Sequence, residues 1–373
     1  MEVKEFVEIL GADFYTGVPD SQLKSLCNYL INTYGTDSKH HIIGANEGNC
    51  TAIAAGYHLA TGKTPVIYMQ NSGQGNVINP VASLLNDNVY AIPAIFVIGW
   101  RGEPGVKDEP QHIYQGKVTI KLMEDMGIET HIVGTESTKE ELQQVMLSFT
   151  EELKKGKSVA FVIRKNALEY GEKVKYSNEY AMDRESIIKH IVQITEEDPI
   201  VSTTGKASRE LFEIREANKQ SHQYDFLTVG SMGHSSSIAL GICLQKPNQK
   251  IWCLDGDGAA LMHLGAMAVI GANKPKNFVH IIINNEAHET VGGMPTVAKN
   301  IDICGIAQSC GYDYVVSVDN YTDLDNELLK CKKSNSLSLI EIKSSIGARA
   351  DLGRPTTTAI ENKVNFMNYL ATR

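Results

Sequence analysis

Short apolar runs alternate with helix-patterned stretches along the whole chain, and this alternation constrains the fold most. The apolar runs include 41–44, 65–69, 94–99 and 159–163, then 200–203, 251–254, 278–283 and 339–342. Helical periodicity falls between them, at 48–60, 186–194, 235–244 and 261–271. Strands that are apolar throughout, separated by helices, predict parallel sheets covered on both faces. The stretch 169–182 breaks the pattern, being polar and charged with no sustained period. It reads as a linker between two doubly wound α/β domains, 1–168 and 183–373.

Composition narrows the function. The 373 residues carry 35 Lys+Arg against 44 Asp+Glu, a net charge of −9. That balance argues against a non-specific nucleic-acid binder, which needs a basic surface. It leaves room for a local basic pocket that takes a small anion. The opening MEVKEFVEIL has charges inside its apolar stretch and no A-x-A-like cleavage site, so no signal peptide is expected. No uncharged apolar run is long enough for a membrane span. The seven cysteines form no C-x-x-C pair, and reduced thiols in a cytoplasmic protein are expected.

The most informative motif follows the run at 251–254. Asp255-Gly256-Asp257-Gly258-Ala259 ends a strand and opens a helix. The glycines allow a sharp turn and a close approach to a ligand. The N–H groups of Gly258 and Ala259 at a helix start suit a phosphate. Asp257 offers a hard oxygen suited to Mg²⁺. The 25 residues 259–283 hold one helix and one strand, after which Asn284-Asn285 supplies amide oxygens. Both motifs then lie at carboxyl ends of strands, where ligands bind in open α/β sheets. A nicotinamide fingerprint fits poorly, because position 261 is Leu and G-x-G-x-x-G is not completed.

This pair of motifs resembles the cofactor signature of thiamine diphosphate-dependent enzymes. The resemblance implies Mg²⁺ on Asp257, Asn285 and the carbonyl of Ala287, with the diphosphate held at Gly256, Gly258 and Ala259. The segment from Thr228 to His234 is similar to the family's aminopyrimidine segment. There the Gly230 carbonyl accepts from the 4′-amino group, Ser231 lies alongside, and Met232 wedges the cofactor into its bent form. Ser202 to Ser208 resembles the diphosphate-side loop, with Thr204 and Gly205 as its contacts. In the first half, Glu47 stands where an apolar strand meets a helix of small residues. The resemblance assigns it the hydrogen bond to the pyrimidine N1′, which needs a water-poor carboxylate. It also implies a homo-oligomer, at least a dimer, with active sites shared between subunits. The chain has no room for the middle domain that many relatives carry.

The remaining loops bear on the substrate. Asp20, in Gly-Val-Pro-Asp-Ser-Gln, either caps the helix that follows or, as in related 2-keto acid decarboxylases, assists proton transfer. Ser21, Gln22 and Asn71 are candidate substrate contacts, Asn71 from a glycine-rich turn spanning 70–76. Glycines and prolines mark 99–112 as a loop. Its Arg101 and Lys107 are candidate clamps for an anion, and His112 can move a proton near neutral pH. Arg349 and Arg354 are the other cations considered for the anion. Together these loops resemble the phosphonopyruvate-decarboxylating branch of the family, with sulfopyruvate decarboxylation as the alternative. The implied reaction turns 3-phosphonopyruvate into phosphonoacetaldehyde and CO₂, a step of phosphonate biosynthesis. His112, Asp20 and Glu47 are its candidate proton-transfer groups.

Overall fold

The apolar runs of the first half pair side by side in one sheet. The computed structural model describes residues 1–372 and divides them between two units, 1–175 and 176–372. In the first unit six strands form in chain order: β1 (Tyr15–Gly17), β2 (His41–Ile43), β3 (Val66–Gln70), β4 (Ile95–Gly99), β5 (Glu129–Val133) and β6 (Val159–Ile163). All pair in parallel, in the spatial order β2-β1-β3-β4-β6-β5. Every residue of β4 and β6 is buried, because helices cover both faces. The helices are α1 (Val3–Leu10), α2 (Lys24–Tyr34), α3 (Glu47–Thr61), α4 (Gln74–Pro80), α5 (Pro110–Asp125) and α6 (Lys139–Lys154). A capping box at Thr138 and Glu141 fixes the start of α6.

The second unit repeats the plan. Its strands are β7 (Ile200–Ser202), β8 (Asp225–Leu227), β9 (Ile251–Gly256), β10 (Phe278–Asn284), the short β11 (Ala287–His288) and β12 (Met294–Pro295), then β13 (Tyr314–Val318) and β14 (Ser338–Lys343). Six of them build a parallel sheet ordered β13-β14-β10-β9-β7-β8, while β11 and β12 form an antiparallel pair of their own. The helices are α7 (Arg184–Thr195), α8 (Lys206–Ala217), α9 (Ser235–Gln245), α10 (Asp257–Met262), α11 (Gly265–Asn273), α12 (Ile303–Cys310), α13 (Tyr321–Lys333) and α14 (Ala359–Ala371). Trp252, Leu254, Ile281, Ile283, Ile340 and Ile342 form one core face of this sheet against α7, α8 and α13. Arg215 and Asp225 are fully buried and pair through two hydrogen bonds, of 2.9 and 3.0 Å.

Several local expectations need correction. The run 261–271 is two helices broken at His263-Leu264, not one. The 70–76 segment is not a tight turn: a 3₁₀ turn (Asn71–Gly73) leads directly into α4. Within 99–112 the loop stops at Glu109, and Pro110 opens α5 as Pro can at a first helical position. His112 is therefore helical. Asp20 does not cap α2, which starts only at Lys24. The polar stretch 169–182 is tied down at both ends: Glu169 bonds to Met1 and Val3, and Tyr180 to Glu286. All seven cysteines are free thiols, five of them buried. Among the described residues no helix is long and apolar enough to cross a membrane.

Candidate active site

In the first unit the candidate residues collect at the carboxyl ends of β1, β2, β3 and β4. Glu47 is the first residue of α3 and is buried. Its Oε2 accepts a 2.7 Å hydrogen bond from Asn76 Nδ2. Gly73 lies so close that a Cβ there would overlap the carboxylate. Burial pushes the Glu47 carboxyl above its ordinary range, and the Asn76 bond opposes that shift.

Asp20 is fully buried a few residues beyond β1. Its Oδ1 accepts from Gln70 Nε2 at 2.5 Å and its Oδ2 from the Gln22 N–H at 3.1 Å. The end of β4 is glycine for a visible reason: a Cβ on Gly99 would overlap the Asp20 carboxylate. Burial pushes Asp20 up to about 6, against the pull of Gln70 and Arg101. A carboxyl poised there can give and take a proton near neutral pH.

Arg101 sits beside it, on the loop after β4. Its Nε and Nη2 donate to Asp108 at 2.8 and 2.5 Å, and Nη1 reaches Ser21 Oγ at 3.2 Å. Despite partial burial, Arg101 holds Asp108 below the usual carboxylate range. Asn71 clamps this loop by its backbone. It donates to the Arg101 carbonyl at 2.7 Å and accepts from the Arg101 N–H at 3.1 Å. Its amide is thus spent on backbone and on Thr119 rather than left for a ligand. Gln22 donates to the Trp100 carbonyl at 3.1 Å. His112 packs over Gly102, and its buried Nδ1 has no hydrogen-bond partner among the described residues. Burial and then Arg101 push its pKa down, against the pull of Asp108 and Gln115. Lys107 is not brought into this cluster. It stands exposed and makes no ion pair among the described residues.

In the second unit the candidates again stand at carboxyl ends, here of β7, β8, β9 and β10. Asp257 opens α10 and is 3% exposed. Its Oδ2 accepts from Thr296 Oγ1 at 2.5 Å. Burial pushes the carboxyl up to about 7 even against that bond and the Gly258 N–H. A carboxylate this buried is stabilised by a cation held against it.

Asn285 is oriented from both ends. Its Oδ1 accepts from the Ala287 N–H at 3.1 Å, and its Nδ2 donates to Glu289 Oε2 at 3.0 Å. Glu289 is itself held by Arg184 at 2.6 Å and Lys206 at 3.0 Å. Ala287 pairs with Pro295, which has no N–H to donate to its carbonyl. Asp257, Asn285 and Ala287 thus offer hard oxygens of the kind that a divalent cation such as Mg²⁺ takes.

The rest of this half-site is backbone. Gly230, Ser231 and Gly233 are all left-handed, with φ of 74°, 50° and 87°. That conformation is easy for glycine and strained for Ser231. The turn is pinned by Thr204 Oγ1, which accepts from the Gly230 N–H at 3.0 Å. Gly205 (φ 98°) precedes α8. Met232 Cε and His288 close on Gly258, where a Cβ would stand 3.4 and 3.3 Å from them. Burial pushes His288 down to about 4, so it is a neutral wall rather than a cation. Arg349 pairs with Glu185, Glu213 and Asp351. It is neutralised by carboxylates and is a poor candidate for an anion clamp.

Five residues that shape the two clusters carry no signal of their own in the sequence: Gln70, Asn76, Asp108, Glu289 and Thr296. Gln70 and Asn76 belong to the singled-out 70–76 segment, but their partners Asp20 and Glu47 are 50 and 29 residues away.

Residues 3–129 match the family described as thiamine pyrophosphate enzyme, N-terminal TPP binding domain. Residues 203–342 match the corresponding C-terminal TPP binding domain. The chain is 31% identical to a phosphonopyruvate decarboxylase of Streptomyces viridochromogenes, over 97% of this chain and 92% of that one. It is 32% identical to a phosphonopyruvate decarboxylase of Streptomyces hygroscopicus, over 96% of this chain and 91% of the other. A sulfopyruvate decarboxylase subunit beta of Methanococcus maripaludis is 35% identical, over 51% of this chain and 98% of the subunit.

Proposed function

The chain belongs to the thiamine diphosphate-dependent decarboxylases, and from that premise we propose that it converts 3-phosphonopyruvate to phosphonoacetaldehyde and CO₂ in phosphonate biosynthesis. The observation that carries the substrate is the similarity to phosphonopyruvate decarboxylases across nearly the whole of both chains. A sulfopyruvate decarboxylase of Methanosarcina acetivorans covers a similar share, 91% of this chain, but at 26% identity, and the relative with the subunit name covers about half of this chain.

Bound thiamine diphosphate supplies the attacking carbon and the sink for the electrons released with CO₂. Mg²⁺ would be held by Asp257, Asn285 and the Ala287 carbonyl. Gly256, Gly258 and Ala259 would border the diphosphate at the start of α10, and Thr204 and Gly205 would lie alongside it. The Gly230 carbonyl and Ser231 address the pyrimidine, and Met232 supports its bend. Glu47 holds a proton against the pyrimidine N1′ from a site that favours the protonated acid. Asp20, poised by burial, and His112 transfer the proton that completes the product. Arg101 presents Nη1, with Ser21, to the anionic end of the substrate. Gln22 lines that pocket and Asn71 fixes the Arg101 backbone.

Glu47 and Asp257 lie in different units, and the reading includes a homodimer at least, with active sites shared between subunits. Supporting it, α3 presents Ile53 and Leu59 to solvent (36% and 74% exposed) among the small residues Ala52, Gly56 and Ala60. An apolar face of that kind marks an association surface.

The test is CO₂ release from phosphonopyruvate, sulfopyruvate and pyruvate, with and without thiamine diphosphate and Mg²⁺. Cofactor-dependent preference for phosphonopyruvate is expected. Preference for sulfopyruvate moves the enzyme to sulfonate chemistry, and release from none of them overturns the reading.

A further inference from the structure

Beneath the second half-site, three ligand-bearing side chains meet inside the sheet. Cys253 and Asp255 are two residues apart on β9 and so share a face. His280 on β10 is the register partner of Cys253. All three are at most 1% exposed. The thiol sulfur, a carboxylate oxygen and an imidazole nitrogen lie within 4.8 Å of one another.

The hydrogen bonding around them is one-sided. His280 Nδ1 is bonded to the Tyr312 hydroxyl at 3.2 Å, and Asp255 Oδ1 accepts from the Gly256 N–H at 3.1 Å. The other atoms of the two groups, His280 Nε2 and Asp255 Oδ2, are buried with no hydrogen-bond partner among the described residues and face each other at 3.6 Å. That separation is too long for a hydrogen bond. It is close to the edge of a tetrahedron around zinc, about 3.3 Å for nitrogen and oxygen ligands at ordinary bond lengths. Ligand side chains held from behind by hydrogen bonds are the usual support of a metal centre. Charge agrees as well. A thiolate and a carboxylate neutralise a divalent ion, and a neutral assembly is what a dry interior tolerates.

We propose that Cys253, Asp255 and His280 bind a zinc-class divalent transition ion, separate from the Mg²⁺ of the cofactor site. The sulfur ligand selects such an ion over Mg²⁺ or Ca²⁺. Binding releases the Cys253 proton to solvent and leaves a fourth position for a water. The ion ties β9 to β10 directly below the strand ends that carry Asp257 and Asn285. The inference stands independently of the decarboxylase reading.

Cobalt(II) is the probe. The full chain is produced in cobalt-supplemented medium, passed through gel filtration in Mg²⁺ buffer, and examined by elemental analysis and absorption spectroscopy. About one cobalt per chain is expected, with a sulfur-to-cobalt charge-transfer band. Cys253→Ser should abolish the band, and His280→Ala should weaken cobalt retention roughly tenfold or more. Asp257→Asn should leave both intact. Absence of stoichiometric metal from folded wild-type protein overturns the site, as does a band that survives Cys253→Ser. Should the variants fail to fold, X-ray absorption on the wild-type metal decides: one sulfur neighbour supports the site, and none overturns it.

Discussion

Asn76 Nδ2 donates to Glu47 Oε2 at 2.7 Å, joining the first turn of α4 to the first residue of α3. The bond is one of two features that aim the carboxylate. The other is Gly73, whose missing side chain leaves the space that Glu47 fills. Glu47→Gln should lower turnover by roughly 10²–10⁴-fold with the fold intact by circular dichroism. Gly73→Ala should also lower turnover while thiamine diphosphate still binds, because it displaces the acid and leaves the second unit untouched. Near-normal turnover in Glu47→Gln would remove the residue from the mechanism.

Asp20 links pH to stability. Its folded pKa of about 6 lies above the ordinary 3.8, so the folded state holds this proton more tightly than the unfolded chain. The stability it contributes is full below about pH 4 and is lost as pH rises through about 6. The loss is on the order of 3 kcal/mol. Urea midpoints measured from pH 4 to 7 should fall less steeply with rising pH in Asp20→Asn than in wild type. Identical slopes would show that Asp20 titrates normally.

Arg101 makes a two-point fork on Asp108 and extends its third nitrogen to Ser21. Lysine cannot reproduce that fork. Arg101→Lys should raise KM for phosphonopyruvate roughly tenfold while changing kcat little, the pattern of lost ground-state binding. An unchanged KM would assign Arg101 to holding the loop alone.

Glu289 turns the Asn285 amide by accepting from its Nδ2. Glu289→Gln should raise the Mg²⁺ concentration for half-maximal activation about tenfold or more, by analogy with other supports of metal ligands. Asp257→Ala should abolish Mg²⁺-dependent cofactor binding in calorimetry. Magnesium dependence unchanged in Asp257→Ala would place the metal elsewhere.

The face of α3 offers a test of assembly. Leu59 is 74% exposed on a helix that also exposes Ile53. Leu59→Glu should shift sedimentation toward the monomer and lower activity in parallel. Monomeric protein with full activity would rule out sites shared between subunits.

The strands that were legible in the sequence are mostly those buried on both sides. Central β4, β6, β9 and β10 read as continuous apolar runs. Of the sheet strands outside those runs, β1 is central but only three residues long, and β5, β8 and β13 stand at sheet edges. There one flank meets solvent, polar residues enter, and the run dissolves into a mixed pattern, as in Glu129–Val133. The loop after β4 shows a second limit. Gly102, Pro104 and Gly105 announced a loop, and the close approach of the His112 backbone to Gly102, inside the helix that Pro110 opens, emerged only in the folded chain.

The sequence by itself determined the parallel α/β plan, the turn chemistry of Gly256-Asp257-Gly258, and the residue types proposed to meet a diphosphate and a metal. Apolar period and glycine content act over a few residues, so they survive in one dimension. Only the tertiary structure decided what each charged group faces. It set Asp108 against Arg101, Asn76 against Glu47, Gln70 against Asp20 and Glu289 behind Asn285. It also buried Asp20 and Asp257 deeply enough to lift them to about 6 and about 7. Desolvation and hydrogen bonding depend on which distant segments pack together, and packing is a property of the folded chain.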